Sequence, residues 1–212
     1  MKHKFLIIPV ISAVILTGCS VGQNDGVSVM NQNQTAENNS VAEEATKPEV
    51  PEGAIADDSG NFVYQGKLMP VGDDENGYMQ VPLGYSPFQE QDTEGLTQYA
   101  DATGTNIFTL DYYENMPYET AAESMRYYME SQENIEGLKG SIATVNGYNA
   151  RQLYCHFTDA NLFWIIWIIE DPDNTNNSYH LSLECDPEHQ NLIACSSTFQ
   201  TVSDYHKTQK GG

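Results

Sequence analysis

From residue 61 onward, short blocks of alternating or continuous apolar residues are separated by Asn, Asp, Gly and Thr. Residues 106–112 alternate, with Ile107 and Thr109 opposite Phe108 and Leu110. Tyr179, Leu181, Leu183 and Cys185 alternate with His180, Ser182 and Glu184. A period of two predicts half-buried strands, one face on a core and one in water. Leu162-Phe-Trp-Ile-Ile-Trp-Ile-Ile169 is apolar at every position. That predicts a central strand covered on both faces, with Trp164 and Trp167 on opposite sides. Asn76-Gly77 precedes a strand at 78–81, and Asn146-Gly147 joins strands at 141–145 and 148–157. Asn-Gly supplies the positive φ angles of the tightest hairpin turns. Turn residues at 101–104 separate strands at 96–100 and 106–113, and turns at 158–161 and 171–177 complete a four-strand meander.

The period shifts to that of a helix in two places. Residues 117–131 begin with Pro117, carry Glu119 and Glu123 early, and set Ala121, Ala122, Met125, Tyr128 and Met129 on one stripe. Residues 187–199 follow Asp186 as N-cap and Pro187 as first residue, with Leu192, Cys195 and Phe199 on one stripe and Ile193 beside it. Strands, helix, meander, helix is the order of an α+β fold, an antiparallel sheet covered by helices.

This order resembles the Mog1/PsbP-like α/β/α sandwich. The matching residues are Gly77-Tyr-Met-Gln-Val-Pro82 with Gly84-Tyr85 and Phe88, Asn146-Gly147 before a long strand pair, and Ser197-Thr-Phe199 closing the last helix. The resemblance spans residues 61–202. It implies a domain that binds proteins or membranes, and it brings no shared catalytic residues.

The first eighteen residues read differently. Lys2 and Lys4 precede a short apolar run, 5–16, interrupted by Pro9 and Ser12. The run is too short to span a bilayer, which takes about twenty residues, and has the layout of a secretory signal. Leu16-Thr17-Gly18-Cys19 resembles the lipobox of bacterial lipoproteins. The resemblance implies cleavage before Cys19 and diacylglyceryl transfer to its thiol, with acylation of the new amino group as a further step. The mature protein is then held to the cell membrane, on the extracytoplasmic face, by lipid on Cys19. Two acyl chains anchor stably where one does not. Residues 19–60 are polar, almost free of aromatics, and hold Pro48 and Pro51 near their end. Such a segment cannot bury enough apolar surface to offset its ordering entropy, and reads as a disordered tether with a root-mean-square span of about 35 Å. A globular domain at 61–206 and a flexible tail at 207–212 complete the organisation.

Composition narrows the function. The net charge is −21, from 9 basic and 30 acidic residues. Losing two of those nine with the signal takes it to −23. Such a surface repels nucleic acid and anionic headgroups, and its first effect is solubility. Of four cysteines, Cys155, Cys185 and Cys195 follow Cys19, each on an apolar face, and read as buried thiols. His156, His180, His189 and His206 lack metal-ligand spacing. The 171–177 loop is oxygen-rich but lacks the glycine and distal glutamate of a calcium loop. It reads as a hairpin turn, and Asp73-Asp74-Glu75 as a solvated one. No nucleophile elbow, S-x-x-K, P-loop or dinucleotide fingerprint occurs.

These patterns predict a non-enzymatic binding domain without cofactor or metal, its partner an envelope protein. A small-ligand or sugar-binding cleft and a hydrolase with an unrecognised site are the alternatives. Tyrosine gives contact area at low entropy cost, and of thirteen tyrosines several cluster around the first helix. Tyr113, Tyr118 and Tyr127 are the candidate partner-binding residues. Tyr128 falls instead on the apolar stripe.

Overall fold

The computed structural model describes residues 54–56, 62–88 and 95–211, all within one unit, Lys47–Gly212. The signal segment, Cys19 and most of the tether lie outside them. Two short antiparallel pairs come first: β1 (Ala54–Ala56) with β2 (Phe62–Tyr64), and β3 (Leu68–Asp73) with β4 (Gly77–Pro82). A seven-stranded antiparallel sheet follows. It is built from β5 (Ser86–Pro87), β6 (Thr97–Ala100), β7 (Ile107–Tyr113), β8 (Ile135–Val145), β9 (Tyr148–Phe157), β10 (Leu162–Glu170) and β11 (Ser178–Cys185). Their spatial order is β5-β6-β7-β11-β10-β9-β8. Helix α1 (Tyr118–Glu130) carries the chain from β7 to β8 at the far edge.

The apolar run at β10 lies inside the sheet, between β9 and β11. Ile165, Trp167 and Ile169 face a core shared with Phe108, Leu181 and Phe199, while Ile166 and Ile168 face Ala121, Ala122 and Met129 of α1. The fold is therefore an antiparallel sheet with α1 on one face. The β3–β4 hairpin and residues 187–199 cover the other. Both Asn146 (φ 47°) and Gly147 (φ 87°) take the left-handed conformation between β8 and β9, as a two-residue hairpin requires.

Five features depart from the sequence reading. First, β11 is not half-buried: His180 and Ser182 on its polar face are only 7% and 2% exposed. Alternation records polarity and not cover: on this buried face His180 Nδ1 meets the Tyr113 hydroxyl. Second, Pro187–Thr198 is a 3-10 segment with non-helical backbone at His189. Ser196, Ser197 and Thr198 each turn their hydroxyl onto the carbonyl three residues back, at 2.7–2.8 Å, which competes with regular helix. Third, Pro187 sits at its start as expected, but the Asp186 side chain makes no cap bond. Fourth, helix α2 (Val202–Lys210) runs past the expected domain end at residue 206. Thr201 caps it, accepting from Asp204 N at 3.3 Å. Fifth, β3 pairs with β4, where only the latter was expected.

The cleft between α1 and the sheet edge

Helix α1 is amphipathic, and its buried stripe of Ala121, Ala122 and Met129 presses onto β9 and β10. Small alanines let the helix lie close. Covering those strands leaves the same face of β8 open. By register, Gly140 lies opposite Leu153 and Ile142 opposite Arg151. An open cleft of about 540 Å³ results, walled by Glu119, Glu123 and Arg126 of the helix and floored by Ile142, Arg151 and Leu153. Gly140 keeps the floor low, since an added Cβ would sit 3.3 Å from a Leu153 methyl. Ile142 is 80% exposed, a β-branched apolar side chain in water.

The cleft holds the only two arginines in the sequence. Arg151 Nη2 donates to Glu119 Oε1 at 2.7 Å, and Arg126 Nη1 to Glu130 Oε1 at 2.8 Å. Both pairs are partly exposed, so each adds only tenths of a kcal/mol to about 1 kcal/mol. Their value here is orientation. The Arg126 guanidinium stands 5.0 Å above the Tyr127 ring and that of Arg151 6.0 Å above Tyr118. The Tyr127 hydroxyl donates to Glu123 Oε1 at 3.3 Å. A planar cation held on an aromatic face is suited to carboxylates and to aromatic or peptide surfaces.

Among the candidate tyrosines, Tyr127 and Tyr118 do not line the cleft themselves but lie under the two arginines that do. Tyr113 is half-buried. It packs against the α1 core, and its hydroxyl meets His180 Nδ1 at 2.9 Å. Burial pushes its phenol pKa well up. Tyr128 is a second correction: it is 52% exposed beside Tyr127 at 56%, and the stripe that packs on the sheet is made by Ala121, Ala122 and Met129 with Met125 against them. Arg126, Arg151 and Ile142 were missed. Their signal was the scarcity of arginine in so acidic a chain.

The other candidate chemistry is dispersed. Cys155 lies on the α1 side of the sheet and Cys185 and Cys195 on the other, all buried and free. Burial pushes their thiols up to about 11, 12 and 12 respectively, with Glu184 adding at Cys155 and Asp186 at Cys185. His156 pairs with Glu136 at 3.2 Å, and His206 with Asp74 at 2.6 Å. No group of three or more histidine, cysteine or acidic side chains is gathered for a metal among the described residues. In the 171–177 loop, Asp171 accepts from the Tyr112 hydroxyl at 2.7 Å and from Asp173 N at 2.9 Å. Asn177 donates to the same hydroxyl at 2.6 Å. The loop's polar groups are thus taken up by the loop itself and by Tyr112 of the neighbouring β7. Asp73 likewise accepts from the amides of Glu75 and Asn76, both at 2.8 Å. No helix among the described residues is long and apolar enough to cross a membrane.

No family model matches the chain, and no curated protein does. Solved structures similar to it include PsbP (CyanoP) of the cyanobacterium Synechocystis sp. PCC 6803, at 12% identity and a TM-score of 0.49, covering 64% of this chain and 93% of that one. The Ran-binding protein Mog1p of Saccharomyces cerevisiae is similar at 11% identity and a TM-score of 0.45, over 65% of this chain and 97% of that one. The likeness is one of chain arrangement.

Proposed function

We propose that this protein is a membrane-anchored, extracytoplasmic lipoprotein whose domain binds another envelope protein, without catalysis, at the cleft beside α1. Lipid on Cys19 holds it, and residues 19–60 space the domain from the bilayer. The observation that carries the reading is the pair of exposed tyrosines on α1, Tyr127 and Tyr128, with the guanidinium of Arg126, a cleft residue, over the Tyr127 ring. Tyrosine and arginine are enriched among residues that dominate binding energy. Removing exposed tyrosines should change stability by about 0.5 kcal/mol or less. Removing a central contact should weaken binding by about 2 kcal/mol, roughly thirtyfold. The Tyr127→Ala/Tyr128→Ala double variant is therefore expected to melt with the parent and to lose the partner recovered with the parent after crosslinking in intact cells. A folded variant that keeps every partner would move the small-ligand reading ahead.

A further inference from the structure

Helix α1 turns two carboxylates into the cleft one turn apart, Glu119 and Glu123. Like charges four residues apart on a helix repel. The two arginines of the cleft do not divide evenly between them. Arg151 goes to Glu119, while Arg126 turns the other way along the helix, to Glu130. Glu123 is left with no cation among the described residues. Its one described hydrogen bond is the long one from the Tyr127 hydroxyl, at 3.3 Å. Three carboxylates thus face two guanidiniums, and the unmatched charge is that of Glu123. The floor of the same cleft is apolar at Ile142, which is 80% exposed and in line with Arg151 across the β8–β9 register.

Resting on the cleft reading above, we infer that the partner docks through a basic segment: a lysine or arginine side chain pairs with Glu123, and an apolar neighbour covers Ile142. Charge decides the sign. An acidic side chain entering the cleft meets Glu123 unpaired, and reaches a guanidinium only by displacing Glu119 or Glu130. A neutral one leaves Glu123 unpaired inside a contact that has lost water, where a lone charge is costly. A basic one gives every carboxylate of the cleft a cation. An exposed ion pair alone adds little affinity, so the apolar contact on Ile142 carries the rest. The chain's net charge of −21 draws a basic partner in and speeds encounter. The same charge opposes a second copy of this chain as the occupant.

The test is calorimetric titration of the full chain in detergent with a blocked hexapeptide of alternating valine and lysine. The same peptide with glutamine or glutamate in place of lysine is the comparison. The lysine peptide should bind at least fivefold tighter than the glutamine one, about the worth of one exposed ion pair, and should weaken as salt rises. Glu123→Gln should melt as the parent does, cost the lysine peptide about fivefold, and leave the glutamine peptide unchanged. Glu123→Lys should turn the preference round to the glutamate peptide. Ile142→Thr keeps a β-branched residue in the strand and should weaken the lysine and glutamine peptides alike. Glu188 is an exposed acid in the segment that covers the opposite face, and Glu188→Gln should change affinity less than twofold. Equal losses from Glu123→Gln and Glu188→Gln would mean attraction to the acidic surface at large and overturn the site. No preference for lysine at up to millimolar peptide overturns the basic occupant. The cleft reading then stands if the Tyr127→Ala/Tyr128→Ala variant still loses its cellular partner, and falls if that variant keeps it. A dimer in sedimentation that the lysine peptide dissociates would make a second copy the occupant and overturn the proposal too.

Discussion

At the scale of single residues, His180 ties the sheet's chemistry to its stability. Its Nδ1 is satisfied by the Tyr113 hydroxyl, its cross-strand neighbour is Asp111, and its Nε2 is buried without a partner among the described residues. Burial lowers its pKa to about 4, from an ordinary 6.5. Between those values the unfolded chain binds a proton that the folded chain refuses, so acidification favours unfolding. Stability should fall from about pH 6.5 to about pH 4, by an order of 3 kcal/mol, and gain no further loss from this residue below. At Asp73 and Asp101, burial opposes ionisation, yet hydrogen bonds from Thr97 and Asn76, and from Asn106 and Thr103, outweigh it and hold both carboxyls low. Their share is lost at more acid pH, below about 3.9. Denaturant unfolding at a series of pH values separates the two windows, and His180→Gln should flatten the upper one alone. The tryptophans differ similarly. Trp167 is 3% exposed, so Trp167→Ala should cost about 3–5 kcal/mol. Trp164 is only partly buried and its Nε1 lacks a partner among the described residues, so Trp164→Phe should be close to neutral. The sequence placed both on opposite faces of β10. It could not distinguish their burial, because coverage depends on where α1 comes to rest.

At the scale of elements, α2 shows how a short helix is held by neighbours. Nine residues do not form a stable helix alone, and none of its residues is buried. Instead Tyr205 stacks on Tyr78 of β4 with ring centroids 3.7 Å apart. His206 Nε2 meets Asp74 Oδ1 at 2.6 Å, and the Tyr148 hydroxyl donates to Asp204 Oδ2 at 2.6 Å. Tyr205→Ala removes the stack, worth about 0.5–1.5 kcal/mol beyond area. It should raise exchange at the amides of 202–210 while the sheet amides keep their protection. Equal loss in both would mean that α2 is part of the global cooperative unit. This helix was illegible in the sequence for the same reason: it has no apolar stripe, and its contacts come from β4 and β9. The elements placed correctly, β7, α1 and β9 to β11, have a strong periodicity of their own or proline or Asn-Gly at an end, although the polar faces of β7 and β11 are covered where alternation predicts water. The 3-10 segment has an apolar stripe too, but three consecutive hydroxyl residues at its end changed its helix type.

At the scale of the molecule, half of the candidate site was legible. Tyr118 and Tyr127 follow from clustering along α1, whereas Arg126, Arg151 and Ile142 meet only through the β8–β9 register and the helix that crosses above it. The anchor is a separate question with its own test: Cys19→Ala should release the protein from membranes or leave an unprocessed precursor, and mature-sized protein in the membrane pellet would sink the lipid reading. Cooperativity of the domain can be followed through its thiols. Cys155 belongs to the α1 layer, and Cys185 and Cys195 to the opposite one. Yet β10 feeds both, with Ile166 and Ile168 on one side and Ile165, Trp167 and Ile169 on the other. Lifting α1 alone would bare the apolar side of β9 and β10, at roughly 25 cal/mol for each Å² exposed. The layers should therefore open together. Buried thiols with pKa values raised to about 11 and 12 react only when opened, because the thiolate is the nucleophile. All three should then be labelled slowly and at one common rate under native conditions, and titrate as three thiols in denaturant without reductant. Faster labelling of Cys155 would show that the α1 layer, and with it the wall of the cleft, opens on its own. A count of one thiol would show that two of the three pair in solution.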